Sequence, residues 1–184
     1  CREMSRGKSV LVEVPQGIGL SLNGPFYPHC TSRDCTVMQA ASDAQIHPSF
    51  VGPVMLVLRT MPIRVGPVYD PINDTVHSSG GCYPDQRETT WDELGVPPEI
   101  TTVTKRVRRV FTWSHRQTVD AFISARPTHV FLSHVDYLPA HNREIELRAY
   151  ILSLQTAAAE VGIPVPQIFY STSPTTSDVQ EWEP

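Results

Sequence analysis

The sequence predicts an α/β fold, a mostly parallel sheet with flanking helices. Short apolar or β-branched runs of strand length recur along the chain, and in the second half longer amphipathic stretches alternate with them. This alternation indicates parallel strands joined by helices that cover the sheet. The 184 residues suffice for one domain with its own core, or for part of a larger one.

Local composition places the individual elements. Strands are predicted where β-branched, apolar and aromatic residues run together, at 9–14, 54–60, 100–113, 128–135 and 167–173. Helices are predicted at 37–46, 89–95, 114–126 and 141–162. Stretches rich in Gly, Pro, Asn and Ser predict loops at 23–35 and 65–81. The second loop belongs to a long, mostly irregular stretch at 65–99, and a tail is predicted at 174–184.

Two of the helices carry explicit boundary signals. The stretch TTWDELG (89–95) has threonine ahead of two acidic residues and a glycine at its end, which is typical of a capped helical turn. The stretch 141–162 has apolar residues at i, i+3 and i+4 and stops at Gly162.

Composition excludes several classes of protein. The net charge is −4, which disfavours a general nucleic-acid binder, because such proteins spread positive charge over a face. The apolar runs, such as 54–58, are too short to cross a bilayer, so no membrane partner is expected. The polar N-terminus shows no secretory signal pattern, and we expect a cytoplasmic protein.

No motif of metal or hydrolytic chemistry is present. The four cysteines lack zinc-site spacing and are expected to be reduced thiols. The seven histidines form no HExxH pair, and no GxSxG elbow occurs. The RGKS stretch at 6–9 precedes a predicted strand, whereas a phosphate-binding loop follows one. These patterns assign no catalytic residue and no metal ligand to this chain, and they leave open a Ser-His-Asp triad that the fold would bring together.

The basic residues concentrate in TVTKRVRR (102–109), which holds four of the chain's fifteen. If this stretch is extended, Thr104, Arg106 and Arg108 share one face, and Lys105, Val107 and Arg109 share the other. A hydroxyl and two guanidiniums on one face suit a small dianion or a carboxylate. The spacing also fits a solvated edge strand or a basic cluster for localisation or RNA.

Six segments resemble those of one family in the same order. They are VLVEVPQGIGLSL (10–22), YPHCTSRDCT (27–36), LRTMPIRVG (58–66), TTVTKRVRR (101–109), THVFLSHVDYL (128–138) and YSTSP (170–174). They resemble the glutamine loop, the YPYVTS segment, the TRVG turn, the aspartate loop, the base-recognition segment and the ISTGP segment of the adenylosuccinate synthetase family.

The resemblance implies three sets of binding residues. The aspartate-binding residues would be Thr102, Val103, Thr104, Lys105, Arg106, Val107 and Arg108. The purine monophosphate would be bound by Gln16, Thr31 and Arg106. The nucleoside triphosphate would be bound by Arg108, His134, Val135, Asp136, Ser171, Thr172 and Ser173.

The chain also departs from the family pattern. The family's phosphate loop, GDEGKGK, and its catalytic His are absent. The resemblance therefore implies that residues 1–184 are the C-terminal part of a single domain. That domain would have a P-loop-NTPase-like synthetase fold, of which this chain lacks the N-terminal half. The Mg²⁺ ligands would lie in that half, and this part alone is expected to be inactive.

Other departures resemble a viral branch of the family, 2-aminoadenylosuccinate synthetase. His134 stands where the family has a base-contacting Lys, and CYPDQRETTWDELG (82–95) replaces the usual GPFPTE stretch. The branch joins L-aspartate to dGMP with ATP, on the route to diaminopurine DNA, which for a viral protein would take place in the host cytoplasm. The alternatives are ordinary adenylosuccinate synthesis from IMP with GTP, or a non-catalytic nucleotide-binding fragment. The family's dimers imply a homodimer.

Overall fold

The computed structural model describes residues 6–183. The strands are β1 (Met55–Arg59), β2 (Ile63–Arg64), β3 (Val68–Asp70), β4 (Thr75–His77), β5 (Glu88–Thr89), β6 (Arg109–Phe111), β7 (His129–Ser133), β8 (Gln167–Ser171) and β9 (Val179–Glu181). The helices are α1 (Val37–Asp43), α2 (Trp91–Leu94), α3 (His115–Ala125) and α4 (Arg143–Val161).

The main sheet has four strands in the order β1-β7-β8-β9. The first three are parallel, with Leu58 opposite Leu132 and Leu132 opposite Tyr170, and β9 runs antiparallel to β8. The predicted α/β class with a mostly parallel sheet is therefore confirmed. Three carboxyl-terminal strand ends meet along one edge of this sheet.

The core lies between this sheet and the two long helices. The side chains of Phe122, Val130, Leu132 and Leu154 are completely buried. Each helix begins or ends at a residue that the sequence indicated. The Ser114 hydroxyl accepts the Gln117 N–H at the start of α3, and the chain leaves α4 through Gly162 in a left-handed conformation.

A second, smaller sheet has the antiparallel order β2-β6-β5. The short helix α2 follows it directly, capped by Thr90 and ended by Gly95 at φ +67°, as the sequence predicted. The indole N–H of Trp91 in α2 donates to the carbonyl of Arg108 at 2.7 Å. Through this bond, α2 supports the segment that leads into β6.

The predicted strand at 9–14 is wrong. This segment has no strand partner among the described residues, and the side chains of Val10, Leu11 and Val12 are exposed, Leu11 to 95%. The β-branched composition gives strand propensity, but propensity does not form a strand without a neighbouring ladder and a surface to pack on.

Two stretches expected to be irregular contain strands. The long loop includes the antiparallel hairpin β3–β4, whose turn is held by Asp70, which accepts the backbone N–H of Ile72 at 2.9 Å. The same stretch includes β5, which pairs with β6. The tail returns as β9, where the Gln180 side chain accepts the Tyr170 hydroxyl at 2.6 Å.

The predicted extended stretch at 100–113 is also corrected. Only Arg109–Phe111 forms a strand, and residues 101–108 form a loop closed by a bridge between Ile100 and Val107. Lys105 takes a positive φ of +52°, which an extended strand does not allow. The loop's base is tied by the Thr101 hydroxyl, which accepts the Arg106 N–H at 2.9 Å.

The outer edge of the main sheet is open within the described part of the chain. β1 pairs with β7 on one side only, and Met55 and Val57 are 56% and 61% exposed. None of the helices in residues 6–183 combines the length and apolar character that a bilayer crossing requires.

Candidate functional site

The carboxyl ends of β1, β7 and β8 lead into the predicted site segments. The Thr60 hydroxyl, which is fully buried just after β1, donates to the carbonyl of His134 at 2.6 Å. The Thr60 N–H donates to the Ser133 carbonyl at 3.2 Å. This is the sheet edge at which ligands bind in parallel α/β folds.

The first of these segments is the turn after β7. His134 has φ +63° and precedes a single 3₁₀ turn, Val135–Tyr137. Val135 is fully buried and anchors the turn in the core, whereas the Asp136 carboxylate makes no hydrogen bond to any residue in 6–183. Asp136 is therefore available as an acceptor for a base edge, as the resemblance implies.

His134 is held in one tautomer by its neighbours. Its Nδ1 lies 2.8 Å from the Ser133 hydroxyl oxygen, and that hydroxyl lies 3.0 Å from the Leu58 carbonyl. A carbonyl can only accept, so the single hydroxyl proton goes to Leu58 and Nδ1 must carry the proton it donates to Ser133. Burial and, next, the charge of Arg59 lower the pKa of His134. The neutral ring then leaves Nε2 as an acceptor.

The second segment is the turn after β8. The hydroxyls of Ser171 and Ser173 are used within the turn, the first by the Ser173 carbonyl and the second by the Asp178 carboxylate. Thr172 makes no hydrogen bond with the part of the chain that is described. Contact with a base at this turn would therefore use Thr172 and the backbone.

An open cavity of about 570 Å³ adjoins both turns. It lies between the first turns of α4 and the tail strand β9. Its lining includes Val135, Arg143, Tyr170, Thr172 and Trp182. It thus contains two of the residues predicted to bind the triphosphate.

The third segment is the loop 101–108, whose side chains differ from the strand prediction. Arg106 and Arg108 are both half-buried, whereas Lys105 and Val107 are exposed, so exposure alternates from 105 to 108. Arg109, predicted to share the face of Lys105 and Val107, is half-buried instead. Thr104 does not share the arginines' side, because its hydroxyl turns back to the Thr101 hydroxyl at 2.6 Å.

The arginines of the patch fall into two kinds. Arg109 donates twice to the Glu88 carboxylate, at 2.8 and 2.6 Å, and also to the Ser79 hydroxyl and the Gly80 carbonyl. Arg106 and Arg108 donate no side-chain hydrogen bond to any residue in the described range, and the one ionic contact of Arg108 is with Glu99 at 4.0 Å. Arg109 is a structural residue, while the other two guanidiniums remain available to an anion.

The turn that follows β2 contacts this loop closely. A Cβ on Gly66 would lie 2.4 Å from the carbonyl oxygen of Val107 and 3.6 Å from the Cβ of Arg106. Only glycine permits that approach without a shift of one backbone. The segment 58–66 therefore contacts the loop 101–108 through Gly66.

Arg64 connects the same turn to the segment 27–36. Its guanidinium donates to the carbonyls of His29 at 2.8 Å and Ser79 at 3.0 Å, and it lies over the ring of Phe26. Burial, followed by the charge of Arg109, lowers the pKa of Arg64. The predicted phosphate contact, Thr31, is two residues after His29.

The last predicted segment carries Gln16, which is exposed and has φ +74°. The 3₁₀ turn Ile18–Leu20 follows it, and the Leu20 carbonyl accepts the Thr31 N–H at 2.8 Å. This bond joins the segment of Gln16 to that of Thr31.

Sequence reasoning missed Glu99. Its carboxylate is bonded to Arg59 and accepts the Tyr137 hydroxyl at 2.9 Å. Its partners are 38 and 40 residues away in the chain, so no local pattern marks it.

Comparison with known proteins identifies the family. The family model described as adenylosuccinate synthetase matches residues 1–183. The chain belongs to the adenylosuccinate synthetase family. The predicted membership is thereby confirmed.

Among individual relatives, viral enzymes are prominent. The chain is 40% identical over 174 residues, 92% of its length and 46% of the relative's, to N6-succino-2-amino-2'-deoxyadenylate synthase of Salmonella phage PMBT28. It is 46% identical over 129 residues, 70% of its length and 35% of the relative's, to the enzyme of the same name from Vibrio phage phiVC8. The chain spans less than half the length of these two relatives.

A solved structure extends this likeness. The cyanophage S-2L succinoaminodeoxyadenylate synthetase, bound to dGMP and to dATP as an energy donor, matches with a TM-score of 0.70 and 30% identity. The match covers 92% of this chain and 45% of the cyanophage protein. The predicted viral branch and synthetase fold are confirmed by these relatives.

Proposed function

We propose that this chain is the C-terminal part of a ligase that joins L-aspartate to dGMP. The reaction would consume ATP and give 2-amino-2'-deoxy-N6-succinyladenylate, ADP and phosphate. One observation carries the proposal: within a single short loop, Arg106 and Arg108 donate no side-chain hydrogen bond to residues 6–183, while the adjacent Arg109 donates four. The names of the viral relatives support the choice of substrate.

L-Aspartate would bind to the loop of residues 101–108. Its two carboxylates need two cationic groups, and a guanidinium gives each a charge-assisted, two-point contact that an ammonium does not. Arg106 and Arg108 fit this role because both are half-buried and neither donates a side-chain hydrogen bond within residues 6–183. The remaining residues, Thr102 to Lys105 and Val107, would contribute mainly backbone groups, since the Thr104 hydroxyl is engaged by Thr101.

The purine monophosphate would lie between Gln16, Thr31 and Arg106. The Gln16 amide can both donate to and accept from a purine edge, and the exposed Gln16 side chain is free of steric cover. The Thr31 hydroxyl makes no hydrogen bond with the described residues and could donate to the 5′-phosphate. The contacts His29–Arg64 and Gly66–Val107 link these residues to the aspartate loop.

The triphosphate donor would bind across the turns after β7 and β8. Asp136 would accept from the base, His134 and Val135 would shape the pocket, and Ser171 to Ser173 would line it from the neighbouring strand. Arg108 would reach the phosphates. The dATP bound by the cyanophage protein favours an adenine donor over GTP.

The chemistry would be activation of the purine 6-oxygen by phosphoryl transfer, followed by displacement of that phosphate by the α-amine of aspartate. Catalysis of this kind is mostly positioning and charge neutralisation. Mg²⁺ would neutralise charge on the phosphates when it is bound. No group of three His, Cys, Asp or Glu side chains within residues 6–183 is arranged to hold it, so the proposal assigns no metal ligand to this chain.

The rest of the synthetase fold would supply the phosphate cradle, the metal ligands and the acid–base groups. The chain's span of less than half its relatives' length supports this division. The open edge of β1, with Met55 and Val57 exposed, offers a place for a further strand. The 184 residues alone would then be inactive, and the complete protein would work as a homodimer in the host cytoplasm.

A substrate panel tests the proposal. The complete protein that carries this chain is given dGMP, GMP or IMP, each with L-aspartate and either ATP or GTP, and ADP or GDP release is followed. We expect the highest kcat/KM with dGMP and ATP. A preference for IMP and GTP would instead indicate ordinary adenylosuccinate synthesis, and nucleotide binding without turnover would indicate a non-catalytic binding module.

A further inference from the structure

Glu99 lies at the junction of three segments of the site. It lies two residues before the loop of residues 101–108 begins, and its side chain is only 23% exposed. Its carboxylate meets Arg59 from the end of β1, Tyr137 from the turn after β7, and Arg108 from the loop itself. No other carboxylate in the described part of the chain contacts both the loop and that turn.

The two oxygens of this carboxylate have different environments. Oε1 accepts from Arg59 and from the Tyr137 hydroxyl, the latter at 2.9 Å. Arg59 is itself fixed, because its Nε donates to the Met61 carbonyl at 3.3 Å. These contacts set the orientation of the carboxylate and leave Oε2 facing the Nε of Arg108 at 4.0 Å.

The contact with Arg108 is electrostatic and incomplete. At 4.0 Å it is too long for a hydrogen bond, yet the attraction holds because both side chains are largely shielded from water, with exposures of 28% and 23%. The backbone fixes the pair further, since the Arg108 N–H donates to the Glu99 carbonyl at 2.8 Å. Arg109, by contrast, uses four of its five N–H donors on Glu88, Ser79 and Gly80.

We propose that Glu99 is the positioning residue for Arg108. Its Oε2 draws the Nε side of the guanidinium inward, so that the two terminal nitrogens face the site and remain unpaired for a substrate anion. Tyr137 holds Glu99 in this orientation, so the loop of residues 101–108 and the turn of residues 134–138 are linked. The inference rests on the proposed role of Arg108 in binding L-aspartate.

Steady-state kinetics on the complete protein test this role, with variants Glu99→Gln and Tyr137→Phe. For Glu99→Gln we expect a rise of about tenfold in the KM for L-aspartate, the size of one lost charge-assisted contact. The KM for the purine monophosphate should stay within about threefold, since that substrate is assigned to Gln16, Thr31 and Arg106 and not to Arg108. Tyr137→Phe should raise the KM for L-aspartate by a smaller factor. The control variant Glu160→Gln changes an exposed carboxylate near the end of α4 and should leave the KM values unchanged.

Two outcomes would overturn the inference. One is an aspartate KM that does not change in Tyr137→Phe and Glu99→Gln. The other is an equal rise of both KM values together with a lower melting temperature, which indicates a purely structural ion pair. If Glu99→Gln does not fold, the KM of Tyr137→Phe for L-aspartate decides whether the inference holds. If Arg106→Ala raises the aspartate KM while Glu99→Gln and Tyr137→Phe have no effect, the inference about Glu99 is wrong and the proposed function still holds. If the wild-type protein does not consume aspartate, the proposed function itself is wrong.

Discussion

The carbonyl oxygen of Val107 lies 2.4 Å from the position that a Cβ on Gly66 would occupy. Both atoms of this contact belong to backbone, so no side-chain rotation can relieve it. We predict that Gly66→Ala displaces the loop of residues 101–108 and lowers the free energy of unfolding by about 1–3 kcal/mol, as overpacking does elsewhere.

Chemical denaturation measures this effect, with Gly52→Ala as the matched control. A Cβ on Gly52 meets nothing within 4 Å, so this variant should be as stable as the wild type or slightly more so. Equal stability of the two variants would show that the loop and the turn are not in contact.

Arg109 and Glu88 form the ion pair that fixes the end of the basic patch. The Arg109 side chain is 17% exposed and uses its planar fork on Glu88, Ser79 and Gly80 together. Lysine cannot reproduce this set of bonds. We predict that Arg109→Lys lowers the free energy of unfolding by about 1–2 kcal/mol.

The corresponding changes at the other two arginines separate structure from function. Arg106→Lys and Arg108→Lys should alter the free energy of unfolding by less than about 0.5 kcal/mol, because neither side chain is hydrogen-bonded within residues 6–183. Thermal or urea unfolding of the three variants checks the ranking. Equal destabilisation by all three would mean that the whole patch is structural.

The lowered pKa of His134 predicts that the stability of the folded chain depends on pH. Its folded-state pKa is lowered by burial and by Arg59, whereas in the unfolded chain it should be about 6.5. The unfolded state therefore binds the proton more readily, and stability falls as the pH drops below about 6.5. We expect the loss to be smaller in His134→Asn, since asparagine also tolerates the left-handed backbone at this position.

Two measurements address this prediction. Unfolding curves between about pH 7 and pH 5 compare the wild type with His134→Asn. A ¹⁵N spectrum of the imidazole should show the proton on Nδ1, which the bond to Ser133 requires. A His134 pKa at or above the ordinary value, or a proton on Nε2, would contradict the assignment.

The regular elements were predictable because they are encoded locally. The strands β1, β7 and β8 are apolar runs of strand length, and α3 and α4 begin at a polar cap or end at a glycine. The segment at 9–14 has the same composition as these strands but lacks a neighbouring strand within residues 6–183. Its composition therefore predicted a strand that the described contacts do not form.

The site was predictable in part. The order of the motifs indicated the turns after β7 and β8, and the composition of the basic patch drew attention to Arg106 and Arg108, which are both half-buried. Two hydrogen bonds that the sequence does not reveal stabilise a loop where a strand was expected. One joins the Thr101 and Thr104 hydroxyls, and the other runs from the Arg106 N–H to the Thr101 hydroxyl. The contacts of Glu99 could not be predicted from the sequence, because its partners Arg59 and Tyr137 are far away in the chain.

The most direct test concerns Arg106 as a contact for L-aspartate. In the complete protein, Arg106→Ala should raise the KM for L-aspartate at least about tenfold, because it removes a charge-assisted contact of about 1.5–3 kcal/mol. The exposed Arg87, which pairs only with Glu93 among the described residues, provides the control variant Arg87→Ala. An aspartate KM that stays at the wild-type value in Arg106→Ala would contradict the assignment of this loop to the amino acid substrate.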